Sequence, residues 1–150
     1  MSIRRDFPDL PPVWTGGTFV AQWAAAEWLP LHRLGEWSRP LGWLLIAAGF
    51  GLAVWAALWF RIKRTTIEPG ERPTALIVEG PYRINRNPIY TAMAVVLLGA
   101  ALALGALSAL LLAVAFPLVA QRRFIVPEEA MLRDAFGAEA DRYMARTRRW

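Results

Sequence analysis

Residues 89–120 read IYTAMAVVLLGAALALGALSALLLAVAFPLVA, thirty-two consecutive positions without a charged side chain. At a rise of about 1.5 Å per residue, about twenty residues cross a hydrocarbon core about 30 Å thick. The run is therefore too long for one crossing. It predicts a hairpin of two membrane helices over residues 89–104 and 106–125, with Gly105 at the turn.

Two further segments have the composition of membrane helices. Residues 41–60 are uncharged, carry Trp43 near one end, and are followed by basic residues, which predicts one crossing over 41–60. Residues 12–31 are rich in Trp, Ala and Val but contain Gln22 and Glu27. We expect this segment to cross as well; the alternative is a helix lying flat in the membrane interface.

The overall composition supports a single domain, residues 1–150, placed in lipid. Hydrophobic residues make up 56% of the chain, more than a soluble core of this size needs. Cysteine is absent and His32 is the one histidine, so disulfides and thiolate metal sites are excluded and no metal is expected. The net charge of +5 has an explanation in membrane topology, and no nucleic-acid partner is expected.

Lysine and arginine are distributed unevenly along the chain. With four crossings, the N-terminal tail, residues 61–87 and the C-terminal part lie on one side and carry fifteen of the seventeen basic residues. Arg33 and Arg39 lie opposite. Because basic segments stay in the cytoplasm, we expect both termini there, with the protein in a bacterial inner membrane. With three crossings, only the tail changes side.

The C-terminal residues 128–147 form a different pattern. Apolar and charged side chains separate onto two faces, which predicts an amphipathic helix on the cytoplasmic membrane surface. The expected fold is thus an all-α integral membrane protein. It has about four transmembrane helices, or three if the first lies in the interface, plus this helix.

Residues 79–90, EGPYRINRNPIY, are the polar link before the hairpin. Prolines after Gly80 and Asn87 disfavour helix at the residues before them, so two turns group the polar side chains at the mouth of a membrane helix. Two explanations remain open. The arginines and tyrosines are topology charges and an interfacial belt, or they form a binding site.

Residues 122–129, RRFIVPEE, close the hairpin and should lie near that link. Proline followed by two acids suits a helix N-terminus, where carboxylates meet free amides and the helix dipole. Alternatively, Glu128 and Glu129 act together with Arg122 and Arg123 to hold a ligand that carries both charges.

These pieces together resemble the isoprenylcysteine carboxyl methyltransferases, and the related phospholipid N-methyltransferases share the pattern. The resemblance rests on GPYRINRNPIY at 80–90, an uncharged hairpin, PEEAML at 127–132, Phe136-Gly137, Tyr143 and a closing RRW at 148–150. It covers residues 41–150.

The resemblance implies a methyltransferase that uses S-adenosylmethionine and acts on a lipid or lipophilic small molecule. Arg122 and Arg123 match the family's substrate-side arginine. The family's cofactor contacts fall, by position, on the following residues: Thr74, Leu76, Ile77, Tyr82, Asn87, Pro88, Tyr90 and Glu128.

The sequence departs from the family at Asn87, where eukaryotic members have histidine, and at Ala140, where tyrosine is frequent. The first departure leaves the substrate class open. A prenylcysteine-like carboxylate is already ionised and needs only an arginine, such as Arg123, to orient it. A phospholipid amine must lose a proton, and then Glu128, Glu129 or a tyrosine is the candidate base.

Two other functions fit the same sequence. A non-catalytic membrane subunit would use the arginines to contact anionic lipid headgroups. An NADPH-dependent enzyme similar to the steroid reductases would have a comparable C-terminal hairpin and helix.

Overall fold

The computed structural model describes residues 9–65 and 73–150, and within them the secondary structure is helical, without a strand. The all-α class is confirmed, while the expected tail at residues 1–8 lies outside the described residues. A 3₁₀ turn, Gly80–Arg83, precedes α3, and a π-helical turn, Gln121–Ile125, joins α4 to α5. The α-helices are α1 Pro11–Trp28, α2 Ser38–Lys63, α3 Pro88–Leu104, α4 Leu107–Ala120, α5 Val126–Phe136 and α6 Ala138–Arg146.

Helix α3 lies at the centre of the bundle, with α2 on one side and α1 and α4 on the other. The α2–α3 contact is close because glycines face it. A Cβ atom on Gly42 would lie 2.5 Å from the amide nitrogen of Ala103 and 2.6 Å from the carbonyl oxygen of Gly99. Small residues are what allow two membrane helices to approach this closely.

Helix α1 runs antiparallel to α4 along its whole length. Near one end Asp9 pairs with Arg123, and near the other the Ser108 hydroxyl donates to the Ala25 carbonyl oxygen at 3.1 Å. Between them the fully buried Gln22 donates its amide to the carbonyl oxygens of Leu97 (3.0 Å) and Ala109 (3.1 Å). Glu27, in contrast, is exposed.

The turn between α3 and α4 is at Gly105, the expected position, with φ of 66°. The connection between α1 and α2 packs against this turn, since the amide of Leu34 donates to the Gly105 carbonyl oxygen at 2.8 Å. The amide of Leu107 in turn donates to the carbonyl oxygen of His32 at 3.0 Å. One end of the bundle is thus closed by main-chain hydrogen bonds.

Two helices in the described chain are long and apolar enough to cross a membrane: Ser38–Lys63 and the continuous helix Leu107–Phe136. The expected count of four is not confirmed, because α3 has only seventeen residues and α1 contains Gln22 and Glu27. Helix α2 turns a broad apolar surface outward, which suits lipid better than water. Its exposed large side chains are Leu41, Trp43, Leu44, Phe50, Val54, Trp55, Leu58 and Ile62.

The C-terminal region differs from the expected single helix over 128–147 in two places. Pro127 does not start a helix, because the π-helical turn before it accommodates the proline ring, which would otherwise crowd the carbonyl of Arg123. Gly137, with φ of 51°, ends α5, and α6 follows in a new direction.

Candidate active site

The first part of the link, Gly80–Arg83, is fixed between α2 and α6. Gly80, with φ of 56°, lies so close to the Trp59 indole that a side chain would not fit. The buried Tyr82 ring meets Phe60 edge to face at 5.9 Å. The Tyr143 hydroxyl donates to the Tyr82 carbonyl oxygen at 2.8 Å. These contacts determine where the following polar residues lie.

Arg86 joins the link to the C-terminal part of the chain. Its Nε donates to Glu129 Oε1 at 3.1 Å, and its guanidinium also donates to the carbonyl oxygens of Met144 and Thr147. Its main-chain amide donates to the Arg148 carbonyl oxygen at 2.8 Å. Arg86 is therefore engaged in structure on every side that carries a donor.

Residues 147–150, which we call the C-terminal strap, return from α6 and lie across the start of α3. Arg149 binds Glu129 through two hydrogen bonds, of 2.9 and 2.6 Å. Asn87 Nδ2 donates to the Arg149 carbonyl oxygen at 3.0 Å, and the Trp150 indole donates to Gln121 Oε1 at 3.0 Å. Asn87 thus acts through a main-chain contact.

Sequence reasoning missed the strap and the role of Arg149. The closing RRW at 148–150 entered only as part of the family resemblance. Nothing in local periodicity predicts that a chain end turns back by three helices. An indication was nevertheless present, since Glu129 sits next to an apolar run and a buried carboxylate needs a cationic partner.

Tyr90 and Glu128 form the second contact between α3 and α5. The Tyr90 hydroxyl donates to Glu128 Oε1 at 2.6 Å, and this is the hydrogen bond that Glu128 makes within the described chain. The ring of Tyr90 is stacked on Phe124, with centroids 6.2 Å apart and planes at 16°. A partly buried carboxylate is therefore surrounded by aromatic faces and lacks a cationic partner.

The two adjacent carboxyl groups differ in their acidity. Both lie in the charged last third of the long helix, beyond its uncharged stretch. Burial raises the pKa of Glu128 to about 7, although the Tyr90 hydroxyl acts in the other direction. Burial also acts to raise the pKa of Glu129, but hydrogen bonds and charges from Arg149 and Arg86 outweigh it and lower that pKa below its usual value.

Tyr82 and Tyr143 are donors and not bases at neutral pH. Burial raises the pKa of each phenol well above its usual value, and the nearby carboxyl group of Glu128 adds to the effect at Tyr82. Of the titratable groups in this region, Glu128 is the one whose pKa lies near neutrality. It is the group best suited to exchange a proton at physiological pH.

The remaining predicted site residues lie further from the Tyr90–Glu128 pair. The Thr74 hydroxyl is 3.1 Å from that of Thr65, and Ile77 and Leu76 pack in the core cluster formed with Tyr82 and α6. Pro88 is buried as the first residue of α3.

Arg122 and Arg123 are exposed, and Arg123 is paired with Asp9 beside Trp14. The structure thus brings together Asn87, Tyr90, Glu128 and Glu129, but it directs Arg123 toward α1. Within residues 9–65 and 73–150 no group of three or more acidic or histidine side chains has the spacing of a metal site.

The comparison with known families gives one match. The family model described as phospholipid methyltransferase matches residues 37–139, which include the link, the hairpin and both carboxyl groups. Neither the curated proteins nor the solved structures contain a match.

Proposed function

The chain belongs to the phospholipid methyltransferase family, and from this we propose that it is an integral-membrane methyltransferase. It takes the methyl group from S-adenosylmethionine and transfers it to a lipophilic acceptor. The observation that carries this proposal is the environment of Glu128, a carboxyl group with an aromatic surround and no cationic partner.

Glu128 fits a positively charged ligand. An ionised carboxylate that is partly buried beside one neutral hydroxyl is under-compensated, which is why its pKa is raised to about 7. A sulfonium or ammonium ion placed beside it would restore the charge balance. The faces of Tyr90 and Phe124 attract the same kind of ion.

We propose a phospholipid amine as the acceptor, in preference to a prenylcysteine-like carboxylate. A carboxylate acceptor needs a free arginine at the site, whereas Arg123 is paired with Asp9 and Arg86 and Arg149 with Glu129. An amine needs a base instead. Glu128 supplies one with a pKa near neutrality.

Each residue has a distinct part in the proposed reaction. S-adenosylmethionine, when bound, supplies an electrophilic methyl group. Glu128 accepts a proton from the acceptor ammonium, which leaves a nitrogen lone pair, while Tyr90 holds the carboxyl group in position. Asn87 and Glu129 hold the strap over the site and exclude water. Thr74, Leu76, Ile77, Tyr82 and Pro88 stay predicted cofactor contacts, as do Arg122 and Arg123 for the substrate.

We further propose the expected topology, with four crossings and both termini in the cytoplasm. Helix α1 supports it, because its two ends reach both ends of α4. The Tyr90–Glu128 pair then lies at the cytoplasmic end of the bundle, where a soluble cofactor and a lipid headgroup meet.

Binding to the purified protein in detergent tests the proposal. S-adenosylmethionine and its demethylated product should raise the melting temperature and release heat, and NADPH should not. Glu128→Gln should weaken cofactor binding about tenfold above neutral pH, because one charge contact of about 1.4 kcal/mol is lost. Tyr90→Ala and Asn87→Ala should also weaken it.

Glu139→Gln is the matched control, since Glu139 is an exposed acid on α6. It should bind the cofactor as the wild type does. Incubation with a labelled methyl donor and phosphatidylethanolamine then tests the acceptor. Absence of cofactor binding by the folded wild type would exclude the enzyme and leave the non-catalytic subunit; binding of NADPH alone would favour a reductase.

A further inference from the structure

A groove of about 460 Å³ lies at the end of the bundle opposite the Tyr90–Glu128 pair. Its walls are Phe19 of α1 and Trp43 and Ile46 of α2, and its floor is formed by Ala100 and Ala103 of α3. It exists because α1 and α2 both pack on α3 but make little contact with each other. Small floor residues keep it deep.

The groove has the depth of one lipid leaflet. Arg39 is in the first turn of α2 and Ile46 lies seven residues further, so the α2 wall is about 10 Å long at 1.5 Å per residue. Half of a hydrocarbon core is about 15 Å thick. An acyl chain that enters from the membrane surface therefore reaches the end of the groove near the bilayer centre.

Arg39 is the one charged residue in the lining, and it makes no ion pair with any described residue. The other charged residues at this end, Glu27, Arg33 and Glu36, are exposed and do not line the groove. A guanidinium at the mouth of an apolar groove matches a phosphate with an attached acyl chain, because it binds phosphate oxygens through two parallel hydrogen bonds.

We propose that this groove binds an anionic phospholipid in the leaflet opposite the candidate active site. One acyl chain lies between α1 and α2, and the phosphate rests on Arg39. The inference depends on the proposed membrane insertion of the bundle but not on its catalytic activity. The bound lipid fills the space that protein packing leaves between the two helices.

Native mass spectrometry of the delipidated protein, with added phosphatidylglycerol or phosphatidylcholine of equal chain length, tests the proposal. The wild type should retain phosphatidylglycerol in preference. Arg39→Gln should reduce that retention about tenfold, as expected for the loss of one charge-assisted contact. Arg33→Gln, which removes the other arginine at this end, should have no effect.

Ala103→Phe, which fills the floor, should reduce retention of both lipids. Equal retention of the two lipids by the wild type, or equal losses for Arg39→Gln and Arg33→Gln, would overturn the proposal. Binding of S-adenosylmethionine, measured on the same samples, should be unchanged in Arg39→Gln and shows that the variant is folded. Failure of cofactor binding in the wild type, with lipid retention intact, would refute only the proposed function.

Discussion

Glu128 and Glu129 are neighbours in sequence with opposite electrostatic surroundings. Glu129 is 3% exposed and is bound by Arg86 and Arg149, whereas Glu128 has only the neutral hydroxyl of Tyr90. Neither acts as a helix cap, because the helix is continuous from Leu107 to Phe136. Substitution by glutamine should therefore have opposite effects on stability at the two positions.

We predict that Glu128→Gln becomes more stable than the wild type as the pH rises. Glu128 titrates near 4.5 when unfolded and near 7 when folded, so the folded state binds more protons between these values and wild-type stability falls across that range. At about 1.4 kcal/mol per pKa unit, the difference reaches up to roughly 3 kcal/mol above pH 7. Melting temperatures in detergent between about pH 4.5 and pH 8 measure it.

Glu129→Gln is the contrast to this variant. It should be less stable than the wild type at neutral pH by about 1.5–3 kcal/mol, the usual value of hydrogen bonds to charged groups, because two arginines lose their carboxylate. A pH-independent difference between wild type and Glu128→Gln would contradict the environment described for Glu128.

The C-terminal strap is the element that connects α3, α5 and the end of α6. It has no regular secondary structure, and its position depends on side chains from other elements. An element held in this way opens at a lower free energy than the bundle does. It is therefore the part of the site from which a ligand can enter.

We predict that Arg149→Ala releases the strap while Arg148→Ala does not. Arg149 makes two hydrogen bonds to Glu129, whereas the adjacent Arg148 is exposed and contributes through its main chain. The loss should be about 1.5–3 kcal/mol for Arg149→Ala and within about 0.5 kcal/mol for Arg148→Ala. Limited proteolysis and hydrogen exchange of residues 147–150 measure it, and equal protection in both variants would contradict the assigned role.

At the scale of the whole molecule, the sequence predicted what depends on local pattern. The uncharged run at 89–120 predicted the α3–α4 hairpin, Gly105 and the proximity of the link to Glu128, and glycine content predicted a close helix contact. Contacts between distant segments were not predictable in this way. Asn87 was hard to interpret because its partner is a main-chain carbonyl sixty-two positions away.

Errors of placement have the same origin. Arg123 was assigned to a substrate because it precedes Glu128 in sequence, but one helical turn separates their directions and Asp9, far away in the chain, is its partner. The single C-terminal helix was expected from amphipathic spacing, which is not sensitive to one glycine with positive φ at 137.

The absence of cysteine permits a direct measurement of topology. Single cysteines at Pro12, His32 and Glu139, all exposed, should divide into two classes. With four crossings, the cysteine at 32 reacts with a membrane-impermeant maleimide from outside intact cells, and those at 12 and 139 react only after lysis. Reaction at 12 together with 32 would instead show three crossings.

The π-helical turn Gln121–Ile125 has a consequence for comparing this chain with its relatives. Deleting one residue there would restore regular α-helix and rotate all that follows by about 100°, which would separate Glu128 from Tyr90 and Glu129 from Arg86. Evolution of this family therefore tolerates single-residue gaps inside the helix only when both partners of these pairs change together. Alignments should admit a gap at 121–125, and residues on its two sides should be numbered as separate blocks.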